Sequence, residues 1–279
     1  MIAAPDAPIG ARELQRRLDE HPFWYHSIDV APGVTTKGWF DLRPVVEQLP
    51  WPNVQGKRCL DIGTFDGYLA FELERRGASE VVAIDVEDHL QWDWPPDYRA
   101  EGLARDPGFS GPPKGAGFRL AAELMGSKVE WRPLSIYDLD PDDIGTFDVV
   151  VCGSLLLHLR DPLRALEAVR TVTDGVFLSS EQIELWPSVF ARGRPWLTLN
   201  GSGADCQWFN FNAAAHRRML FAAGFAVEQV SKAYNVRFDH HPKPRSTPKN
   251  VLHAMGVRAV TGSWAPGVLH RAALARPRV

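Results

Sequence analysis

Short, largely apolar runs alternate with amphipathic stretches from residue 57 onward. Five runs have the β-rich composition of strands that helices cover on both sides of a sheet: KRCLDI, EVVAID, KVEWRPLSI, FDVVVCGSL and GVFLSSEQI. The stretches GFRLAAELMG and PLRALEAVRTV have helical spacing. This alternation predicts an α/β fold with a doubly wound, Rossmann-like, mostly parallel sheet of seven strands.

The residues before this core are expected to form a cap on it. ARELQRRLDE places Leu14 and Leu18 on one helical face, and an aromatic stretch rich in Pro and Gly follows it. A further helix, VVEQL, is predicted after Pro44. The predicted organisation is an N-terminal helical and aromatic cap (1–49), a domain (50–260) with loop insertions at about 88–117 and 185–211, and a C-terminal tail (261–279).

The end of the domain is predicted to continue the alternation. NAAAHRRMLFAAGF has helical spacing, with Asn212 as its N-cap and Gly224 at its end. Two more strands, which would close the sheet, are expected near AVEQVSKAYNV and NVLHAMGVRAV.

Composition narrows the class of protein. The chain has 279 residues, of which 45% are hydrophobic and 23% charged, as in globular domains. No apolar run reaches the roughly 18 residues of a membrane span, and the N-terminus lacks the basic-then-apolar order of a secretion signal. The three cysteines lack metal-ligand spacing. We therefore expect a cytoplasmic protein with no membrane partner and no metal.

The distribution of charge leaves one alternative open. The net charge of −3 gives no general attraction to nucleic acid or anionic lipid. From residue 232 to the end, however, nine basic residues accompany a single acidic one, Asp239. This stretch is either a solvated surface or a contact for RNA phosphates.

The stretch CLDIGTFDGYLAFEL predicts a strand, a glycine turn and a helix, which is a nucleotide-binding arrangement. Gly63 and Gly67 would let a ligand approach the main chain. Asp85 ends the next strand, 22 positions after Gly63, where a carboxylate can accept two hydrogen bonds from a ribose diol.

The turn departs from a dinucleotide site. Phe65 stands where the middle glycine of that fingerprint belongs, and Asp61 and Asp66 add negative charge at the turn. This acidity disfavours a pyrophosphate and suits a ligand with an ammonium and a sulfonium. The pattern therefore favours S-adenosylmethionine as the cofactor.

Several motifs together resemble class I S-adenosylmethionine-dependent methyltransferases over about residues 50–260: LDIGTFDG, AID, LSIYDL, FDVVVCGSLLLHLRDP and MLFAAGF. The resemblance implies that Asp61 and Gly63 lie near the methionine part of the cofactor and that Asp85 binds its ribose. It also implies that Tyr137 and Asp138 flank the adenine. The remaining predicted cofactor residues are Trp39, Thr64, Phe65, Gly67 and Gly153.

A narrower resemblance concerns WYHSIDVAPGVTTKGWFDLRP, LLLHLRDPL and TPKNVLHA. These segments look like bacterial enzymes that carboxymethylate the wobble 5-hydroxyuridine of tRNA with carboxy-S-adenosylmethionine. In those enzymes a lysine and a tyrosine help to hold the extra carboxylate, and an approximate alignment places His26 and Leu157 there. A buried carboxylate needs a charged partner. Plain S-adenosylmethionine is therefore expected here, and a tRNA substrate becomes the less favoured alternative.

Three residues are candidates for the base that removes a proton from the methyl acceptor: His158, His26 and Glu181. Methyl transfer is an in-line displacement that depends mostly on positioning, and an oxygen or nitrogen acceptor also needs to lose its proton. Two of the candidates have a structural alternative. His158 could pack or cap the next helix, and Glu181 could form an ordinary ion pair.

The acceptor is expected to be a small molecule. Stretches rich in Trp and Phe favour an aromatic or apolar acceptor, with O-methylation favoured over N- or C-methylation. A tRNA modification enzyme and a non-catalytic binding module remain alternatives, and the sequence leaves homo-oligomer formation open.

Overall fold

The computed structural model describes residues 10–96, 112–200, 206–241 and 246–278. The strands in these ranges are β1 (Trp24–His26), β2 (Asp29–Ala31), β3 (Val34–Thr35), β4 (Gly38–Asp41), β5 (Arg58–Ile62), β6 (Glu80–Asp85), β7 (Glu130–Pro133), β8 (Phe147–Gly153), β9 (Thr173–Gln182), β10 (Leu197–Leu199), β11 (Phe209–Phe211), β12 (Phe225–Val230), β13 (Tyr234–Phe238) and β14 (Gly267–Pro277).

The helices in the same ranges are α1 (Ala11–Glu20), α2 (Tyr68–Arg75), α3 (Ala116–Met125), α4 (Pro141–Ile144), α5 (Pro162–Thr171), α6 (Leu185–Phe190), α7 (Ala213–Ala222) and α8 (Pro248–Thr261). Single 3₁₀ turns occur at Val46–Gln48, His89–Gln91, Ile136–Asp138 and Leu156–His158. None of these helices combines the length and the apolar character that a membrane crossing requires. Where the sequence predicted the helix VVEQL, the structure has only the 3₁₀ turn Val46–Gln48.

A ten-stranded sheet forms the centre of the described structure, in the order β1-β4-β13-β14-β9-β8-β5-β6-β7, with β12 also paired to β14. Strands β7, β6, β5, β8 and β9 are parallel, and β14 is antiparallel to its neighbours. The predicted α/β, doubly wound, mostly parallel architecture is confirmed. Its strand count exceeds seven because β1 and β4 extend the edge and because β12 and β13 pair with successive halves of β14.

Helices cover both faces of the sheet. On one face α1, α2 and α3 contribute Leu18, Phe71 and Phe118 to a buried cluster. On the other face α5 and α7 contribute Leu166 and Leu220 to a second cluster. The carboxyl ends of the parallel strands stay uncovered by these layers, which leaves them available for a site.

Two predictions about the end of the chain are wrong. NVLHAMGVRAV forms helix α8 instead of a strand, because the Thr247 side chain caps the helix by accepting from the Asn250 N–H and because Pro248 suits the first turn. Residues 261–279, expected to be a tail, contain β14, which runs through the sheet beside β9.

The loop insertions and the basic stretch are described only in part. Residues 97–111, 201–205 and 242–245 lie outside the described residues, and so do the parts of the predicted insertions and of the basic stretch that fall there. In the described part, Arg237 pairs with Asp41 and Arg276 with Glu228. Several of the basic residues thus have partners within the fold.

Glu181 lies inside the core instead of at the surface. Its side chain is on β9 and is fully buried, and Oε1 accepts weak hydrogen bonds from the backbone N–H groups of Leu155 (3.3 Å) and Leu156 (3.4 Å). Oε2 has no hydrogen-bond partner. Burial, only partly offset by these two hydrogen bonds, raises the pKa of Glu181 to about 8. The buried carboxyl is therefore neutral at pH 7.

Gly38 permits the pairing of β4 with β1. A Cβ at this position would lie 2.0 Å from the carbonyl carbon of His26, which is far inside van der Waals contact. We predict that Gly38→Ala lowers the free energy of unfolding by about 1–3 kcal/mol, because the two strands must separate to admit the methyl group. Gly193→Ala is the control, since a Cβ there meets nothing within 4 Å. Equal stabilities of the two variants in urea unfolding would contradict this.

Glu181 should make stability depend on pH. Its pKa in the folded protein is about 8 against a usual value of 4.5, so the folded state binds the proton more tightly than the unfolded state. The contribution of Glu181 to stability is therefore complete below pH 4.5 and is lost as the pH rises to 8. Glu181→Gln should remove this loss, so that the variant gains on the wild type between pH 5 and 8. If urea unfolding gave the variant and the wild type parallel curves of stability against pH, Glu181 would be ionised in the folded protein between pH 5 and 8, which would contradict the prediction.

Candidate active site

A cavity of about 430 Å³ opens at the carboxyl ends of the parallel strands. Its lining includes the residues that end or follow β5, β6, β8 and β9, namely Ile62, Gly63, Asp85, Val86, Gly153, Ser154 and Gln182. This is the edge at which open α/β sheets bind ligands. The volume falls within the range of small-molecule sites.

Most of the predicted cofactor residues line this cavity: Trp39, Asp61, Gly63, Thr64, Phe65, Asp85, Tyr137 and Gly153. Gly67 and Asp138 do not. Gly67 begins α2 with a φ of +98°, and a Cβ there would lie 2.5 Å from the Phe71 ring, so this glycine serves core packing. Asp138 is exposed at the end of a 3₁₀ turn.

The strand end at β5 holds two buried polar atoms without partners. Asp61 is 1% exposed, and its Oδ2 has no hydrogen-bond partner; the same is true of Oγ1 of Thr64, three residues later. Burial is the main reason that the pKa of Asp61 rises to about 7, and the nearby Thr64 hydroxyl and His26 ring offset it only in part because neither completes a hydrogen bond to Oδ2. A buried carboxyl with an unsatisfied oxygen is suited to receive a cationic hydrogen-bond donor from a ligand.

Asp85 already has protein partners in this structure. Oδ2 accepts from the Phe65 N–H at 2.9 Å, and Oδ1 accepts from the Val86 N–H at 2.8 Å. Oδ1 also lies 2.7 Å from Nζ of Lys114, whose ammonium is over the rings of Phe65 and Trp92. Sequence reasoning missed this lysine, because no spacing rule links Lys114 to the strand that ends 29 residues earlier.

Asp66 holds the N-terminal segment, contrary to the expectation that its charge faces a ligand. Its carboxylate accepts from the backbone N–H groups of Tyr25 (2.7 Å) and His26 (2.8 Å) and contacts Nδ1 of His26. The side chain is consequently buried and satisfied. Because a carboxylate only accepts, Nδ1 of His26 donates to it, and Nε2 is the ring nitrogen left for another contact.

Of the three candidate bases, His26 and His158 line the cavity, and Glu181 does not. Nδ1 of His158 lies 3.0 Å from the carbonyl oxygen of Cys206, to which it donates. His26 differs from His158 in having a carboxylate as its partner. The prediction of Glu181 as a base is wrong on position, because its carboxyl points into the core beneath the turn after β8.

Aromatic side chains form one wall of the cavity. Tyr25 packs on Phe40, Phe40 packs on Phe238, and Phe238 stacks on His241 with ring centroids 4.5 Å apart. Trp39 lies edge-on to His241. Leu42, Val45, Leu49, Val236 and Val268 add apolar surface to the lining. This wall of the cavity is therefore aromatic and apolar.

The two predicted aromatic insertions also contribute to the lining. Trp92 and Trp94 stack with ring centroids 5.0 Å apart and both line the cavity. Asp93 between them accepts a 2.6 Å hydrogen bond from Tyr137 Oη. From CQWFNF, Cys206 and Gln207 line the cavity.

Besides Lys114, sequence reasoning missed the polar lining residues Ser154, Ser180, Tyr234 and His270. Tyr234 lies on β13 and His270 on β14, and sequence patterns did not place these strands in the sheet beyond β9. No local signal marks them, since each contact joins residues more than 50 positions apart.

Comparisons with known proteins lead to methyltransferases. A family described as a methyltransferase domain matches residues 40–230. A tRNA U34 carboxymethyltransferase from Campylobacter hominis is 27% identical over 140 residues, which are 48% of this chain and 40% of that protein. A ubiquinone biosynthesis O-methyltransferase from Xanthomonas axonopodis is 30% identical over 139 residues, 49% of this chain and 47% of that protein. The chain thus spans less than half the length of these curated relatives.

Solved structures share the fold at low identity. The N-terminal domain of EvdMO1 with SAH bound aligns with a TM-score of 0.54 and 17% identity over 97% of this chain and 98% of that one. The YcgJ protein from Bacillus subtilis aligns with a TM-score of 0.54 and 16% identity over 85% of this chain and 98% of that one.

The family match covers more than half of the chain and contains the glycine turn, Asp61, Asp85 and all five parallel strands in full. The match therefore bears out the class that the motifs predicted. The protein belongs to the methyltransferase-domain family.

Proposed function

We propose that the protein methylates an oxygen atom of a small aromatic or apolar acceptor. The observation that carries this proposal is the position of His26, which lines the same cavity as Asp61 and the aromatic wall and has the buried carboxylate of Asp66 as the partner of its Nδ1. A hydrogen-bonded histidine and carboxylate beside an apolar chamber suit the removal of a proton from a hydroxyl group.

The residues at the strand ends fit the cofactor. We assign the cofactor's ammonium to Asp61, whose unpartnered Oδ2 would gain a charge-assisted hydrogen bond. We assign the ribose to Asp85, where it would share the carboxylate with Lys114 or displace its ammonium. Ile136 and Tyr137, which line the cavity from the 3₁₀ turn after β7, would contact the adenine. When bound, the cofactor supplies a methyl carbon that is electrophilic because it is attached to a sulfonium.

His26 would act as the base. The cofactor, held at Asp61 and Asp85, would supply its methyl group to the acceptor oxygen, and that oxygen would lose its proton to the protein. The hydroxyl proton goes to Nε2 of His26, and Asp66 stabilises the resulting imidazolium through Nδ1. The same carboxylate fixes the backbone of Tyr25 and His26, so it orients the base as well as pairing with it.

The lining supports plain S-adenosylmethionine over its carboxy form. Lys114 is the lysine that lines the described cavity, and it is paired with Asp85; arginine is absent from this lining. A second carboxylate would therefore lack a free cation. The likeness to the tRNA U34 carboxymethyltransferase makes tRNA the alternative acceptor. Arg237 and Arg276 already pair within the protein, which supports the small-molecule proposal.

Replacing His26 should slow turnover without weakening cofactor binding. We predict that His26→Asn lowers kcat by about 10²–10⁴, because Asn keeps a donor toward Asp66 but has no basic nitrogen. Turnover is measured as transfer of labelled methyl from S-adenosylmethionine to a panel of naphthols and catechols. Affinity for S-adenosylhomocysteine, measured by calorimetry, should change less than about twofold.

His158→Gln is the matched control and should retain most of the activity. A larger loss in this variant than in His26→Asn would assign the base to His158. Transfer to unmodified tRNA but to none of the phenols would replace the proposed acceptor with the alternative.

Cofactor binding should be coupled to ionisation of Asp61. Its pKa of about 7 in the ligand-free protein must fall when an ammonium pairs with it, so binding at pH 6 releases a proton. Affinity for S-adenosylhomocysteine should therefore rise with pH up to about 7–8 and then level off. Calorimetry in buffers of different ionisation enthalpy measures the released proton. Asp61→Asn should bind more weakly and lose this proton release; an unchanged release in the variant would place the ammonium elsewhere.

A further inference from the structure

A polar floor, which we define as Ser154, Ser180, Tyr234 and His270, lines the cavity where β8, β9, β13 and β14 meet. Ser154 Oγ lies 2.7 Å from Nε2 of His270, and Ser180 Oγ lies 2.5 Å from Oη of Tyr234. The rings of Tyr234 and His270 stack with centroids 5.9 Å apart. Four polar groups thus interrupt a lining that is otherwise mostly aromatic and aliphatic.

The protonation of His270 follows from its second contact. Nδ1 lies 3.0 Å from the carbonyl oxygen of Val268, which can only accept, so Nδ1 carries a proton. His270 is 3% exposed, and burial lowers its pKa to about 4, so the ring is neutral at neutral pH. Nε2 therefore has a lone pair and no proton.

The direction of the Ser154 hydrogen bond is fixed as a result. Because Nε2 of His270 only accepts, the hydroxyl of Ser154 must donate to it. A hydroxyl has one proton, so the side of Oγ that remains can only accept. Ser154 therefore presents a hydrogen-bond acceptor to the cavity.

The backbone of Ser154 is held in an unusual conformation. Its φ of +52° lies in the left-handed region that non-glycine residues seldom occupy. The backbone N–H of Ser154 donates to the carbonyl of Ser180 at 2.8 Å, which ties the turn to β9. Strain of this kind is retained where the surrounding structure determines it and is concentrated at functional sites.

The pair does not have the surroundings of a nucleophilic serine. The backbone N–H groups of Leu155 and Leu156, which follow Ser154 and would stabilise an oxyanion, bond instead to Glu181. A neutral, buried His270 is also a weak proton acceptor at neutral pH. The geometry favours binding of a group that keeps its proton.

We propose that Ser154 Oγ accepts a hydrogen bond from a second hydroxyl or amine of the methyl acceptor, and that His270 is a positioning residue that fixes this polarity. This inference rests on the proposed function, and it narrows the acceptor to an aromatic molecule with a donor group besides the oxygen that is methylated. Ser154 contributes binding and specificity, and His26 remains the base.

The test measures binding of two probes to enzyme saturated with S-adenosylhomocysteine. Wild type should bind 2,3-dihydroxynaphthalene about five- to tenfold more tightly than 2-naphthol, as expected for one additional hydrogen bond. Ser154→Ala should bind both probes equally while its affinity for 2-naphthol and for S-adenosylhomocysteine stays unchanged.

Variants of His270 test its positioning role through probe preference, which would not change if the residue were merely structural. In His270→Ala the Ser154 hydroxyl is released to donate, so preference should shift toward 3-methoxy-2-naphthol, whose ether oxygen accepts. His270→Gln, with a carbonyl oxygen that accepts from Ser154, should retain the preference for the diol. ¹⁵N NMR of the wild-type His270 ring should show a proton on Nδ1, and a proton on Nε2 would overturn the proposal.

The failures of the two proposals are distinguishable. Equal binding of diol and 2-naphthol by wild type, with labelled methyl still transferred to 2-naphthol, overturns the role of Ser154 and leaves the proposed function standing. Absence of binding and of transfer for every phenol overturns both.

Discussion

The carboxylate of Asp66 joins the N-terminal segment to the glycine turn, and the proposed site depends on that contact. By accepting the N–H groups of Tyr25 and His26, it places the start of the aromatic wall beside the cofactor-binding edge of the sheet. The other oxygen of this carboxylate orients the imidazole of His26. One buried acid, satisfied entirely by the protein, thus connects the two halves of the chamber.

The second acid at this turn has the opposite character. Asp61 is buried without enough partners, and its raised pKa reflects the free energy needed to ionise it in the absence of a ligand cation. In a class of enzymes with a cationic cofactor such a residue has a role, because the ligand supplies the positively charged hydrogen-bond donor that the fold does not. Asp66 and Asp61 are five positions apart, yet one stabilises the structure and the other is left for the ligand.

The sequence predicted those parts that local patterns encode. The strands from residue 58 to residue 182, the Asn212 cap and the Asp61–Gly63–Asp85 set were recognisable because periodicity and motif spacing are local properties. α8 was misassigned because Val251, Leu252 and Met255 lie on an exposed face, so their hydrophobicity did not indicate burial. Lys114 and the Ser154–His270 pair are set by tertiary contacts across 29 and 116 positions, which no single-chain pattern contains.

A crystal structure of the complex with S-adenosylhomocysteine tests the central claim most directly, namely that Asp61 receives the cofactor's cation while Asp66 remains with the protein. The account predicts the ligand's ammonium about 3 Å from an oxygen of Asp61, with the contacts of Asp66 to Tyr25 and His26 intact. An ammonium on Asp66, or a ligand whose amino group lies away from both acids, would contradict it.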